Sequence, residues 1–493
     1  MTRCDVGQAI SINVLPDDVL LAIFDSYLRE KNLYSYGPTQ AWQSLIHVCR
    51  RWRSVVLGSP RHLDLRLCYI ASTRSRHTLD IWPALPVVIK GDGGNSTIGA
   101  DNVAAALKCS DRVCEISLHI SKILDLEILL AAMQQPFPEL TDLGLWWFGR
   151  IDETEVVPDS FLGGFAPNLE FFLLDGIPFP GFPKLLLSAT HLVDLRLHNI
   201  PHSGYFSPDA MAAALSTLTS LKYLSLSFNS PESCPDLETR RLSPSTRSVL
   251  PILTKLSFKG VSEYLEDLLT GIDAPQLNSF SINFFNDIVF DTPELIRFIS
   301  QTPVSSALEI VHIVLEDGTA ATAHATFRPK IHGHVGFEVS ILCEGLDWQL
   351  SSLEQVCTSC LPFLSTLGDL YILDRIPEFS PPVQDIVENR VLWLELLHPF
   401  TAVKNLYLSE QIALRIGPAL QELVEGRATE VFPTLENIFL QRLNLKSSGR
   451  APEGIGLFVA ARQSASHHPI VISPWINSRQ YMDQLRTRRR FHW

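Results

Sequence analysis

The sequence predicts an α/β protein in which an N-terminal helical segment is followed by an irregular solenoid of leucine-bearing repeats. Two observations carry this prediction: apolar residues recur at helical spacing within residues 12–67, and one short apolar motif recurs through residues 111–445. Of the 493 residues, 46% are hydrophobic and 19% are charged, so the chain can form a sizeable core. Residues 68–110 are predicted to connect the two parts, and residues 446–493 to form a C-terminal extension.

The first helix is predicted to begin at Pro16, because a proline in the first turn of a helix loses no hydrogen bond. Asp17 and Asp18 follow and place negative charge at the positive end of the helix dipole. Apolar residues then recur at helical spacing and form one face: Leu20, Ile23, Phe24, Tyr27 and Leu28.

A second helix is predicted after the breakers Gly37 and Pro38, with Thr39 as its N-cap. Its apolar residues share a face or lie beside it: Trp42, Leu45, Val48, Cys49, Trp52 and Val55. A helical pair this short buries little surface by itself, so it needs a neighbouring domain or a partner protein to be stable. The periodicity leaves both alternatives open.

These residues resemble the F-box, a domain that docks on the Skp-type adaptor of SCF (cullin-RING) ubiquitin ligases. The resemblance lies in Leu15–Leu20 with Ile23 and Phe24, then in Leu45, Val48–Arg50 and Trp52–Arg53. The segment from Arg29 to Gln40 departs from it, being longer than the linker of many F-boxes. The resemblance implies that the following residues bind the adaptor: Leu15, Pro16, Val19, Leu20, Ile23, Phe24, Trp42, Leu45, Val48, Cys49 and Trp52.

Three further segments are similar to the large F-box families of mushroom-forming fungi. They are Ser59–Leu67, Thr78–Pro86 and Asp101–Val113. This similarity is at the level of the family and identifies no substrate.

Beyond residue 110 the sequence repeats the pattern apolar, two residues, apolar, one residue, apolar. Such a pattern is typical of a short strand whose alternate side chains point into a core. The last apolar positions of the early copies are Leu118, Leu145, Leu174, Leu197 and Leu226. Their separations fall within the roughly 20–29 residues of leucine-rich repeats. Later copies, such as those ending at Ile372 and Leu408, lie further apart and indicate insertions, and a general α/β domain is the alternative.

Between the repeats, the pattern predicts helices at Pro208–Leu218 and Glu263–Leu269. Loops are predicted at Ser230–Ser245, at Leu315–Phe327 and at 445–469, where polar residues and turn formers replace the apolar motif. The asparagine of regular leucine-rich repeats is mostly missing, which favours an irregular solenoid.

Substrate contacts are predicted as a class, because side chains between the apolar positions of a strand point away from the core. The candidates are Asp194, Arg196, His198, Tyr223, Lys255, Lys259, Asn283, Tyr371, Tyr407 and Asn437. Solvated surface is the alternative role for most of them.

Net charge and hydropathy argue against two classes of partner. The net charge of −13 disfavours nucleic acid and anionic membranes, because both attract a basic surface. No apolar run reaches the roughly 20 residues of a membrane helix, and the first residues lack the apolar segment of a secretory signal. We expect an intracellular protein of the cytoplasm or nucleus, with its nine cysteines reduced.

Residues that could carry catalysis or hold a metal are scattered. Cys357 and Cys360 form one CxxC, without a second such pair or a histidine pair at zinc spacing. The run Gly91–Gly94 is not completed to a phosphate-binding motif, and neither GxSxG nor HExxH occurs. We therefore expect no cofactor, no metal and no enzymatic activity. A deep pocket of clustered ionisable groups would favour an uncharacterised enzyme instead.

The F-box resemblance and the repeats together predict a substrate-recruiting adaptor of an SCF ubiquitin ligase. The F-box would bind the Skp-type adaptor and its cullin complex, and the repeats would bind an unknown protein substrate. The alternative is an interaction scaffold that works outside a ligase. Co-purification of a cullin and turnover of the substrate separate the two.

Overall fold

The computed structural model describes residues 12–33, 41–70, 85–91, 99–150, 156–233, 247–285, 292–303, 309–315, 322–328, 336–342, 346–360, 362–374, 389–424, 426–441, 452–465 and 469–475. The chain forms two compact units, Met1–Leu192 and Val193–Trp493. Several predicted features lie outside the described residues: Gly37, Pro38 and Thr39, most of Ser230–Ser245, and most of Gly91–Gly94 and Thr78–Pro86.

The first unit begins with a 3-10 turn and three helices. Their bounds are Ile12–Val14 for the turn, Asp17–Leu33 for α1, Ala41–Ile46 for α2 and Arg50–Gly58 for α3. The second predicted helix is therefore two helices, which corrects the sequence-based assignment. The break occurs because Cys49 is extended and caps α3, its Sγ accepting a hydrogen bond from the Trp52 N–H at 3.4 Å.

Five parallel strands follow in the first unit, paired in chain order. They are β1 (Leu67–Ile70), β2 (Val87–Lys90), β3 (Val113–Ile120), β4 (Asp142–Trp147) and β5 (Phe171–Asp175). Helices α4 (Ala100–Leu107), α5 (Ile123–Ala132) and α6 (Phe182–Leu186) lie between or after them. The motif leucines Leu118, Leu145 and Leu174 pair in register and are buried, so the repeats stack into one core.

The described residues of the second unit form thirteen strands. They are β6 (Asp194–Ile200), β7 (Tyr223–Phe228), β8 (Ser248–Val249), β9 (Lys255–Gly260), β10 (Ile272–Asp273), β11 (Ser279–Phe284), β12 (Ile310–Leu315), β13 (Thr322–Arg328), β14 (Phe337–Leu342), β15 (Asp369–Asp374), β16 (Asn405–Leu408), β17 (Asn437–Gln441) and β18 (Val471–Trp475). All but β8 and β10, which pair with each other, lie in one sheet in the order β6-β7-β9-β11-β14-β13-β12-β15-β16-β17-β18.

In the described part of the second unit, seven α-helices lie between these strands. They are α7 (Pro208–Leu215), α8 (Ser262–Thr270), α9 (Pro293–Gln301), α10 (Leu346–Cys360), α11 (Arg390–Leu397), α12 (Glu410–Glu422) and α13 (Glu453–Ala465). The predicted helices at Pro208–Leu218 and Glu263–Leu269 correspond to α7 and α8. The Ser207 side chain accepts a hydrogen bond from the Ala210 N–H, and Pro208 occupies the first turn, which explains where α7 begins.

The side chains at the apolar positions of the motif form the buried face of this sheet. Leu195, Leu224, Leu256 and Phe280 are paired in register on β6, β7, β9 and β11, and all four are buried. The α/β fold class with an N-terminal helical segment and repeated strands is thereby confirmed.

One irregularity interrupts the parallel order. Strands β12, β13 and β14 form an antiparallel meander whose outer strands, β12 and β14, run parallel to β15 and β11. The predicted loop at Leu315–Phe327 was wrong over its second half, because Thr322–Phe327 belongs to β13. On β13, Ala323 and Ala325 point into the core, and their small side chains weaken the apolar motif. Phe327 is the large apolar residue that points into the core from this strand.

The sheet also extends beyond the predicted bounds of the repeats. Strands β1 and β2 lie within residues 68–110 or at their edge, and β18 lies in the predicted C-terminal extension. The predicted loop at 445–469 contains α13. Strands β1 and β18 were not recognised, because they are short and lack the full repeat motif.

Candidate functional site

The helical N-terminal domain exposes apolar side chains on α1 and on the turn after α2. Val19 and Ile23 on α1 are 39% and 42% exposed, and Val48 on the turn is 58% exposed. Pro16 is also exposed, and residues 16, 19 and 23 share one face of α1 because they recur at helical spacing. We call Pro16, Val19, Ile23 and Val48 the exposed apolar set. Exposed apolar side chains that share one helix face are candidates for contact with a partner, although single exposed apolar residues also occur elsewhere on the chain, as at Leu187.

Four other predicted adaptor-binding residues lie in the core instead. Leu20, Phe24, Trp42 and Leu45 are buried within the first unit. The Trp42 Nε1–H donates to the Arg66 carbonyl oxygen at 3.0 Å, which anchors α2 to the segment before β1. In this chain these residues therefore support the domain from within, and the surface available to a partner is narrower than the sequence predicted.

The remaining three predicted residues are partly exposed. The Trp52 ring packs against Phe24 with centroids 4.7 Å apart, and Cys49 caps α3. Leu15 lies in the turn before α1, and its carbonyl oxygen accepts a hydrogen bond from Arg51 at 2.5 Å.

Arg51 holds the start of α1 against α3. Besides the Leu15 carbonyl, its guanidinium donates to the Asp17 carboxylate at 2.6 Å and 3.1 Å. Both of the Asp17 bonds end on the same oxygen, Oδ1, and the guanidinium is held between this oxygen and the Leu15 carbonyl. It therefore fixes the turn that presents Pro16 relative to α3, and sequence patterns alone gave no sign of this pairing.

The predicted substrate-facing residues lie on the second unit, on the side of the sheet opposite the motif leucines. Lys255 is exposed and the other nine are half-buried: Asp194, Arg196, His198, Tyr223, Lys259, Asn283, Tyr371, Tyr407 and Asn437. The register brings several together. Asp194, Tyr223 and Lys255 pair across β6, β7 and β9, and Lys259 pairs with Asn283 across β9 and β11.

Asp194, Arg196 and Tyr223 form one contact group at β6 and β7. Arg196 donates to both Asp194 carboxylate oxygens at 2.8 Å and 2.9 Å, and its guanidinium lies 4.6 Å from the centre of the Tyr223 ring. Burial raises the pKa of Tyr223, so its hydroxyl stays protonated. Beside this group, the His198 Nε2 lies 3.1 Å from the Ser225 hydroxyl oxygen.

Tyr371 and Tyr407 belong to a stack of rings on β12, β15, β16 and β17. Tyr371 and Tyr407 are parallel at 4.0 Å between centroids, with His312 and Phe439 stacked on their outer sides at 4.3 Å and 4.5 Å. Trp475 packs at 5.6 Å from both tyrosines. Because the ring faces contact one another, they are used for packing between strands.

Asn437 belongs to a second row beside these rings. Its Nδ2 donates to the Asn405 Oδ1 at 2.8 Å, and the Asn405 Nδ2 donates to the Asp369 Oδ1 at 2.6 Å. Sequence reasoning selected Asn437 but missed Asn405 and Asp369. Their common position in three repeats was the signal that could have found them.

An aromatic group in the first unit was also missed. The Trp146 indole lies over Gly144, where a Cβ would come within 2.6 Å of it, and the His119 ring packs on it at 4.7 Å. Phe148 lies 5.6 Å from His119 and is 67% exposed. The run Trp146-Trp147-Phe148 was the signal, because successive residues of a strand face opposite sides of the sheet and alternate residues such as Trp146 and Phe148 face the same side.

The described part of the chain contains no group of three or more metal-ligating side chains, and none of its helices is long and apolar enough to span a bilayer. Cys357 and Cys360, the predicted lone CxxC, both lie in α10, and Cys357 is buried.

Comparison with known proteins identifies the helical domain. Residues 12–66 match the F-box-like family. The chain therefore carries an F-box-like domain at its N-terminal end. No curated protein matches the chain.

Among solved structures, the chain is similar to the leucine-rich repeat-containing protein LegL7 from Legionella pneumophila. The two are 14% identical, with a TM-score of 0.25, and the match covers 82% of this chain and 98% of that chain. Because this TM-score is low, the similarity carries no argument about the fold. The evidence for the repeat architecture is the register in which the strands pair, described above.

Proposed function

We propose that this protein is a substrate-recruiting adaptor of an SCF (cullin-RING) ubiquitin ligase. The observation that carries the proposal is an F-box-like domain whose α1 leaves Val19 and Ile23 exposed to solvent. Burying such residues against a partner removes apolar surface from water. The partner of this class is a Skp-type adaptor, which would link the chain to a cullin.

In this proposal the repeats bind a protein substrate through the polar side of the second unit. The protein supplies proximity, because holding a substrate beside a ubiquitin-loaded enzyme raises the effective concentration of its lysines. The covalent chemistry belongs to other subunits, so the chain itself is non-catalytic. The complex would work inside the cell, in the cytoplasm or nucleus, and we place the chain with the F-box families of mushroom-forming fungi.

The adaptor contact is tested by placing charge within the exposed apolar set. Val19→Asp with Ile23→Asp should weaken capture of a purified Skp-type adaptor by roughly a hundredfold or more, since a carboxylate buried in an apolar interface loses its hydration. Leu187→Asp is the matched control, because Leu187 is another exposed apolar residue of the same unit, at 54%. The binding measurement uses the full-length chain and biolayer interferometry.

Circular dichroism spectra and melting temperatures should agree among the three proteins, because all three substituted positions are exposed. Undiminished binding by the double variant would refute the assigned interface. If the wild-type chain binds the Skp-type adaptor but retains no cullin and turns over no substrate, the alternative of a scaffold outside a ligase is favoured.

A further inference from the structure

Strand β9 presents two lysines and one serine on the same side of the sheet. Lys255, Ser257 and Lys259 alternate along it with Leu256 and Phe258, which are buried. Because successive side chains of a strand point to opposite sides, the three polar residues share the side away from the core. Lys255 is exposed, and Lys259 is half-buried.

Neither lysine has an anionic partner within the described residues. The Lys259 ammonium lies 5.6 Å from the centre of the Phe285 ring, which is its one recorded contact there. Burial lowers the pKa of Lys259, because no carboxylate among the described residues offsets the loss of hydration. By contrast, the neighbouring Arg196 is already ion-paired with Asp194. Of the cations compared on β6 and β9, those without a carboxylate partner among the described residues are therefore the two lysines of β9.

The strands on either side of β9 supply hydrogen-bonding groups at matching positions. Ser225 and Ser281 flank Ser257 in register, and Asn283 flanks Lys259. Ser257 and Ser281 are half-buried, whereas Ser225 is buried and its hydroxyl oxygen lies 3.1 Å from the His198 Nε2. The next residue in the serine row is Glu338 on β14, whose acidic side chain limits the positive region in that direction.

We propose that β9 is the centre of a binding site for an extended acidic peptide whose anionic side chains, four residues apart, pair with Lys255 and Lys259. Four residues of strand rise about 13 Å, and side chains at positions i and i+4 of an extended peptide have the same spacing and point to the same side. The chain carries a net charge of −13, so its surface as a whole repels such a peptide. Binding therefore depends on this local pair of lysines. This inference rests on the proposed function in one respect, which is that the peptide is taken to be a segment of a protein substrate.

Fluorescence anisotropy with the full-length chain tests the site. The probes are fluorescein-labelled glycine–serine peptides carrying two glutamates four residues apart, two glutamates three residues apart, or two glutamines in place of the glutamates. A fourth peptide carries phosphoserines four residues apart, since a carboxylate and a phosphate present the same anionic oxygens to a lysine. Comparing the first and fourth peptides decides which of the two sources this site prefers.

We expect the peptide with glutamates four residues apart to bind most tightly among the unphosphorylated probes. The variant Lys255→Gln/Lys259→Gln should bind it at least about tenfold more weakly, because two charge-assisted contacts are lost. Lys404→Gln is the matched control: Lys404 is an exposed lysine of the same unit, ion-paired with Glu436, and its loss should leave the affinity unchanged.

Equal affinity of the wild type and the double lysine variant would overturn the proposal, as would equal affinity for the glutamate and glutamine peptides. Equal binding of the peptides with three-residue and four-residue spacing would overturn the assigned register. The double lysine variant should still bind the Skp-type adaptor, and Val19→Asp/Ile23→Asp should still bind the peptide. Failure of this site and failure of the proposed function are thus distinguished.

Discussion

The F-box-like domain and the sheet of the second unit expose different kinds of side chain: the domain leaves apolar residues in solvent, whereas the sheet presents polar ones. The F-box-like domain leaves Val19, Ile23 and Val48 in solvent over a small core. The sheet buries its motif leucines and presents serines, lysines and tyrosines on its other side. An apolar surface suits a partner that is bound in the same way each time. A polar surface suits discrimination, because an unmatched buried polar group costs free energy.

The largest expected effect separates the two kinds of apolar residue on α1. Phe24→Ala should lower the free energy of unfolding by roughly 3–5 kcal/mol, since Phe24 is buried and packs on Trp52. Ile23→Ala should change it by less than about 0.5 kcal/mol and should weaken binding of the Skp-type adaptor. Urea unfolding and hydrogen exchange of α1 measure the first effect. Equal destabilisation by both variants would contradict the assignment of Ile23 to the binding surface.

A smaller effect is expected where the second unit buries a charged group. Arg462 on α13 is buried and donates to the carbonyl oxygens of Ala428, Phe432 and Pro433 at 2.9, 2.9 and 2.7 Å. Arg462→Met leaves these three oxygens without their donors and should cost roughly 1–3 kcal/mol of unfolding free energy. The matched control is Arg427→Met, because Arg427 is an exposed arginine whose partner is Glu430.

Thermal and urea unfolding of the full chain measure this change. The melting temperature should fall for the Arg462 variant and stay constant for the Arg427 variant. A constant melting temperature for both would show that the segment from Ala428 to Pro433 does not need the guanidinium.

The smallest expected effect has the opposite sign. Among the described residues, the Tyr264 hydroxyl has no hydrogen-bond partner, and it is buried among the rings of Phe228 at 4.6 Å and Phe258 at 5.9 Å. Tyr264→Phe keeps the ring packing and removes the unsatisfied hydroxyl, so the free energy of unfolding should rise by up to about 1 kcal/mol. Urea unfolding with Tyr205→Phe as a comparison measures it, and a clear destabilisation would contradict the assigned environment.

The sequence predicted the positions of most helices and strands because their signals are local. Residues of an amphipathic helix recur at a period of 3.6 and residues of a half-buried strand at a period of 2, whatever the rest of the chain does. Thus α1, α7 and α8 and the motif strands lie where the patterns indicate. Strand β13 was missed, because small inward residues give a weak alternation.

The candidate sites were predictable only as sets of residues. Leu20 and Ile23 belong to the same apolar pattern, yet one is buried and the other exposed. Helical periodicity identifies an apolar face but does not say how much of it the neighbouring helices cover. In the same way, the strand motif selected Lys255 and Lys259 as outward residues without showing that Ser225 and Ser281 flank the strand between them.

The amino-acid sequence by itself therefore determined α1 of the F-box-like domain, the repeated strands and the outward side chains of those strands. Tertiary structure decided which apolar residues of α1 stay in solvent, how Arg51 ties α3 to the turn before α1, and why β14 rather than β12 lies beside β11. The physical reason is that these features depend on pairing between residues far apart in the chain. Such pairing is set by the packing of the whole unit, so the periodicity of apolar residues along the sequence does not predict it.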